Sequence, residues 1–174
     1  MEVRNKIWEE FKQAYANVSC IRRYTSMQRQ LNCIYQVFIA ATAAVGTVFS
    51  GFKPEASIYA LGAIAVVSLT KAIFPQILQP EKELCDLDAL MEYYSSYMNK
   101  MELLFYQYDN NQKSDDDVMN ELCCLKDDEC KKMSQMNKLI HGIPWLMQRN
   151  INKEVKTYIN EIYYNIYEHK DEKK

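Results

Sequence analysis

From residue 3 to residue 29, apolar side chains recur at helical spacing: Ile7, Phe11, Ala14, Tyr15, Val18, then Ile21 or Arg22, with charges between them. That period predicts an amphipathic helix. The pattern changes at Gln30. From there to Phe52 the chain reads QLNCIYQVFIAATAAVGTVFSGF, 23 residues without a charge. A helix rises about 1.5 Å per residue, so a bilayer core of about 30 Å needs roughly 20 residues. No Gly or Pro intervenes before Gly46, so the amphipathic helix is expected to continue into this stretch. A short turn, Gly51-Phe52-Lys53-Pro54-Glu55, leads to a second apolar stretch, uncharged from Ala56 to Gln79 except for Lys71. The stem of Lys71 can snorkel toward head groups, and Pro75 is tolerated near a membrane edge. The expectation is a transmembrane hairpin with spans at 31–52 and 56–78.

Beyond residue 80 the amphipathic pattern returns. Pro80 opens a helix whose first turn carries Glu81 and Glu83, where the macrodipole favours acids. Leu84, Leu87, Leu90, Met91, Tyr94, Met98, Met101 and Phe105 form its stripe. The polar run from Asp109 to Lys113 predicts a turn, and Ser114 with Asp117 marks the next helix start. That helix runs to about Ile140, where Gly142 and Pro144 interrupt it. A last helix, from about Pro144 to Tyr167, places Ile151, Val155, Tyr158, Ile162 and Ile166 on one stripe. Such a near-heptad stripe calls for a neighbouring helix or a symmetry mate. The tail EHKDEKK is expected to be solvated and frayed. The fold class is therefore all-α: a two-helix transmembrane hairpin with a cytoplasmic bundle of long helices, expected to be oligomeric. Residues 1–80 would form the amphipathic helix plus hairpin, and 81–174 the cytoplasmic domain.

Composition sharpens this picture. Only eight of 174 residues are Gly or Pro, against 13 Tyr and nine Met. That excludes turn-dense all-β and collagen-like architectures. The net charge of −2 argues against a generally basic, nucleic-acid-coating protein. Its distribution is uneven: residues 1–30 are net +3, 31–80 net +1 and 81–174 net −6. Arg22, Arg23 and Arg29 precede the first span and Lys71 and Lys82 flank the second, whereas the connecting turn offers only Lys53. The positive-inside rule then puts both termini in the cytoplasm. All six cysteines but Cys33 would lie in a reducing compartment. The Cys123, Cys124 and Cys130 group lacks metal-ligand spacing and reads as buried or idle thiols.

Catalytic constellations are missing. His141 and His169 are the two histidines, and the glycines at 46, 51, 62 and 142 are isolated. Asp115, Asp116 and Asp117 fall at a helix start and read as a cap. Neither an enzyme, a cofactor nor a metal is expected. One patch carries chemistry: Lys138, His141, Trp145, Arg149, Lys153 and Lys156, in which Arg149, Lys153 and Lys156 share a helix face. Cations serve phosphates and a ring serves stacking, which suits a nucleotide or single-stranded oligonucleotide. An ordinary solvated face, neutralised by Glu154 and Glu161, accounts for the same residues. In the spans, Ala40 with Ala44 and Gly46 with Ser50 sit at helix-contact spacing. Thr42, Thr47, Ser50, Ser68 and Lys71 can contribute to span contacts or a wet path in an assembly.

The charged helix WEEFKQAYANVSCIRRYTSMQRQL, the paired spans across 31–78 and the helical extension together resemble the SLATT family of bacterial two-transmembrane effectors. The resemblance implies a role in antiphage defence of the CBASS or Hailong kind. A partner nucleotidyltransferase would make a cyclic nucleotide or oligonucleotide, and that ligand would control a pore in the bacterial inner membrane. Two helices per chain cannot enclose a water path, so a closed homo-oligomer is expected, with a tetramer as the expected number. Two other functions fit the same pattern: a two-span anchor for a cytosolic partner, and a holin-like toxin that needs no ligand.

Overall fold

The computed structural model describes residues 2–49 and 57–171; side chains at 43–49, 57–61, 63, 64, 75, 76 and 162–171 lie outside that description. The described chain forms five helices: α1 (Glu2–Phe49), α2 (Ser57–Ile77), α3 (Glu81–Asp109), α4 (Asp115–Leu139) and α5 (Trp145–Asp171). The all-α expectation holds. The chain divides into two compact units. One comprises Met1–Tyr24 with Cys85–Lys174, the other Thr25–Leu84. The sequence pattern placed residues 1–80 together; the units instead count the N-terminal part of α1 with α3, α4 and α5, because its apolar stripe packs there.

In the first unit, α1 runs antiparallel to α3. Arg4 pairs with Asp109 at 3.2 Å, and the Tyr97 hydroxyl donates to Glu10 Oε2 at 3.4 Å. Ile7, Phe11 and Ala14 are buried against Tyr97, Met101, Leu104 and Phe105 of α3 and Val118 and Leu122 of α4. Complete burial of such side chains contributes roughly 1.5–3 kcal/mol each, which makes this stripe the main source of cohesion. Helix α3 ends in a Schellman-type turn: the Gln112 N–H donates to the Gln107 carbonyl and the Asn111 N–H to the Tyr108 carbonyl. Asn111 takes φ 55, a left-handed conformation that Asn tolerates better than most residues. The next helix starts at once. Ser114 Oγ accepts from the Asp117 N–H at 3.3 Å and caps α4. The turn and cap send α4 back antiparallel to α3. Along α4 the inward positions are Val118, Leu122, Glu129 and Met136. Helix α5 lies antiparallel to α1, with Glu154 beside Ser19 and Arg23, and Tyr158 beside Phe11 and Tyr15.

These directions bring four chain points to one end of the first unit: Tyr24, where α1 leaves; Cys85, where α3 enters; the end of α4; and the start of α5.

The second unit is an antiparallel helix pair. Tyr35 of α1 stacks on Phe74 of α2 with ring centroids 5.1 Å apart, and the Gln79 N–H donates to Gln28 Oε1 at 3.4 Å. Its exposure pattern is the reverse of the first unit's. Ile34, Val37, Val66, Leu69, Ile73 and Ile77 are between 45% and 63% exposed. The Thr42 hydroxyl donates to the carbonyls of Phe38 and Ile39, and that of Thr70 to the carbonyl of Val66, so each satisfies itself on its own helix. Among the described residues, no helix is long and apolar enough to cross a membrane. The expected turn at residues 51–55 lies outside the described residues.

Candidate functional site

Helix α4 ends at Leu139, with Ile140 leaving in extended geometry (φ −95, ψ 96). The chain reaches Pro144, whose carbonyl accepts from the Gln148 N–H at 3.0 Å, so proline stands where a helix needs no donor. Helix α5 then separates two faces. Inward lie Ile151, 2% exposed, and Tyr158, whose ring stacks on Tyr15 at 3.9 Å with an interplanar angle of 5°. Outward lie Trp145, Arg149, Lys153 and Lys156, all exposed, and at about 100° per residue they fall within one narrow arc.

The acids matter most here. Glu154, which with Glu161 could neutralise the cationic face, turns toward α1. Its Oε2 accepts from Arg23 Nε at 2.9 Å and Nη2 at 2.7 Å, and the Ser19 hydroxyl is 3.5 Å from Oε1. Among the described residues, no acid lies within ion-pair distance of Lys138, Arg149, Lys153 or Lys156. The outward face therefore keeps an uncompensated positive charge, which is what draws phosphates.

A groove of about 500 Å³ opens along the α1–α5 seam, lined by Tyr15, Arg23, Asn150, Lys153, Glu154, Thr157, Tyr158 and Glu161. Burial, then the nearby Glu154 carboxylate, push the Tyr15 phenol upward; burial and then Glu102 do the same to Tyr158. Both rings stay neutral at physiological pH, the form suited to stacking. With two bases and two acids on its walls, the groove is nearly balanced, and the excess of charge lies on the outward face.

The six patch residues thus separate. Trp145, Arg149, Lys153 and Lys156 share one face of α5. Lys138 sits in the last turn of α4 and His141 in the connector, both exposed. Lys153 alone also lines the groove. The groove residues Tyr15, Arg23, Asn150 and Thr157 were not singled out from sequence, because their convergence depends on helices more than 120 positions apart.

A second polar cluster is buried between α1, α3 and α4. The Tyr94 hydroxyl donates to Glu129 Oε1 at 3.2 Å, Lys126 bonds Glu10, and Lys132 stands 5.6 Å over the Tyr93 ring. Burial lifts the Glu129 carboxyl above its usual range, despite the Tyr94 hydrogen bond. Burial and then the Asp128 charge push Tyr93 to about 12; Tyr94 and Tyr97 rise higher still, through burial first and then Glu129 and Glu10 respectively. All three phenols remain donors. The cluster ties helices together, with Tyr94 and Glu129 buried at its centre and Lys126 half-exposed at its rim.

Of the span positions, Ala40, Ser68 and Lys71 are exposed and Thr42 is half-buried. Ala44, Gly46 and Thr47 fall within α1, but their side chains lie outside the described residues, as does Ser50 altogether. Cys123, Cys124 and Cys130 are exposed, which removes burial from the two readings given for them, buried or idle: they fall off the inward stripe of α4. Cys20 is the buried thiol, and burial raises its pKa. Asp115, Asp116 and Asp117 do form the first turn of α4 behind the Ser114 cap. No family model, curated protein or solved structure matches this chain.

Proposed function

We propose that the protein is a membrane effector: the spans at 31–52 and 56–78 cross the bilayer as a two-helix hairpin, and the first unit is a cytoplasmic helical bundle that controls it. The observation that carries this is the exposure of Ile34, Val37, Val66, Leu69, Ile73 and Ile77 on an antiparallel helix pair. Large apolar side chains left exposed in such number are costly in water and at home in lipid. Both termini face the cytoplasm of a bacterial cell, as the distribution of Arg and Lys implies. Several hairpins, four in the expected assembly, surround an ion path, with Ala40, Ala44, Gly46 and Ser50 at their contacts.

The cationic face of α5 supports control by an anionic ligand. Arg149, Lys153 and Lys156 stand without acid partners among the described residues, and Lys153 leads into a groove floored by paired tyrosines. A nucleotide or oligonucleotide made by a partner nucleotidyltransferase has the matching chemistry, in keeping with the SLATT-like order of the chain. Such a ligand shifts the conducting population only by its differential affinity for the two states. The anchor reading draws on Leu103 and Tyr106 of α3, 56% and 64% exposed, which offer a cytosolic partner an apolar foothold.

Ion flux in liposomes decides among these, measured with and without cyclic di- and trinucleotides. Ligand-dependent flux that disappears with Arg149→Glu, Lys153→Glu and Lys156→Glu combined supports the effector. Flux indifferent to nucleotide and to that triple change identifies a ligand-free toxin, and no flux at all identifies an anchor.

A further inference from the structure

Trp145 and Leu146 are adjacent, large and apolar, and are 69% and 57% exposed at the first turn of α5. Most comparable side chains on α1 and α3 fill the core of the first unit, and the exposed pair Leu103 and Tyr106 lies toward its opposite end, near the Arg4–Asp109 pair. Their place is informative. Because α5 runs antiparallel to α1, and Glu154 meets Arg23, Trp145 stands about 13 Å beyond that pair, toward the end where α1 leaves the unit. Antiparallel pairing brings the start of α3 and the end of α4, with exposed Lys138, to the same end. Both chain connections to residues 25–84 therefore depart from the end that carries Trp145, Leu146 and Lys138. Arg149 follows one turn after Trp145, also exposed and without an acid partner among the described residues.

We propose that this end of the bundle is a bilayer-interface contact, in which Trp145 and Leu146 enter the head-group boundary and Lys138 and Arg149 pair with anionic lipid phosphates. Trp has an apolar body with a single N–H donor, which suits that boundary layer, and cations beside it are drawn to anionic lipid. The cationic patch then has two uses along one helix. Its first turns face lipid; Lys153 and Lys156, roughly 12–16 Å farther on, remain for a soluble ligand. The inference rests on the membrane reading of residues 25–84, and the experiment separates the two.

The full chain carrying Trp8→Phe, which keeps an aromatic ring against Phe11 and Phe105, leaves Trp145 as its one tryptophan. It is reconstituted into vesicles of phosphatidylcholine with or without phosphatidylglycerol. Lipids brominated near the carbonyl or near the chain end serve as quenchers. The expected result is co-flotation with vesicles, a blue-shifted Trp145 emission, and a larger loss of emission to the shallow bromines. Lys138→Glu with Arg149→Glu should reduce that loss when phosphatidylglycerol is present. Co-flotation with Trp145 red-shifted and unquenched at both depths overturns the interface contact and leaves the hairpin standing. Loss of co-flotation overturns both. Quenching of Trp145 by a soluble nucleotide, with no response to brominated lipid, assigns the ring to the ligand instead and overturns the proposal. Should Trp8→Phe fold poorly, the emission lost on Trp145→Phe in the otherwise unchanged chain reports the same quantity.

Discussion

Phe11 and Val37 lie on the same helix, yet the first is 2% exposed and the second 63%. The N-terminal part of α1 belongs to a unit with a buried apolar core, onto which its own stripe of Ile7, Phe11 and Ala14 packs. Past Tyr24 the same helix belongs to a unit with apolar residues on its surface. The first pattern is that of a helix buried on one stripe; the second is that of a helix apolar on several sides. The difference teaches that continuity of secondary structure says nothing about continuity of environment. What changes along α1 is whether its apolar side chains are covered or left exposed.

The largest expected effect tests the inward half. Phe11→Ala opens a cavity among Ala14, Tyr97 and Met101 and should cost about 3–5 kcal/mol. Val37→Ala in the outward half should stay within about 0.5 kcal/mol. Denaturant unfolding of the full chain in detergent, followed by helical signal, checks both, and equal losses would erase the contrast. Next comes a charge on the outward half. Leu69→Arg should cost roughly 3 kcal/mol of insertion if that face meets lipid, and almost nothing if it meets water. The fraction retained in membranes after a carbonate wash reads the difference directly.

The smallest effect concerns the buried acid of the inward half. Burial raises the folded pKa of Glu129 above its unfolded value, so ionisation costs stability above the folded pKa and costs nothing below the unfolded one. Glu129→Gln keeps an acceptor for the Tyr94 hydroxyl and removes that cost. It should raise Tm at neutral pH, and the gain should vanish as pH falls below about 4, where both forms are uncharged. A Tm that drops at neutral pH would mean that the Glu129 carboxylate is a net support, held by Lys126.

Much of the architecture was legible because its punctuation is local. Pro80, the polar turn from Asp109, the Ser114 cap and the Gly142–Pro144 break each act over a few residues, and the helix limits follow them closely. The stripe Ile7, Phe11, Ala14, Val18 and Ile21 was legible for the same reason, and all five are buried. The candidate site was legible only in part. Arg149, Lys153 and Lys156 share a face by helical arithmetic alone. The partner of Glu154 did not show, because Arg23 lies 131 positions away and carried a topological meaning in the sequence. Glu129 follows Asp127 and Asp128 in the chain and nothing local sets it apart, whereas the turn of α4 points it inward onto Tyr94. Residue type left Cys123 and Cys124 open between burial and idleness, and position on the helix decided for exposure.

The first unit is built from the two ends of its segment, and this bears on the order of biosynthesis. The contacts of Ser19 and Arg23 with Glu154 close loops of 135 and 131 positions. At about 5–20 residues per second, a ribosome needs on the order of ten seconds to make that span. For the first part of that interval the apolar stripe at Ile7 and Phe11 has been synthesised and its partners have not; those on α3 and then α4 follow, and α5 comes last. Residues 25–84 emerge in between. A nascent chain must therefore shelter its first helix while the hairpin finds its own surroundings, and only afterward can the bundle close. Assembly from the middle outward makes completion of the bundle a late event, set by translation as much as by folding.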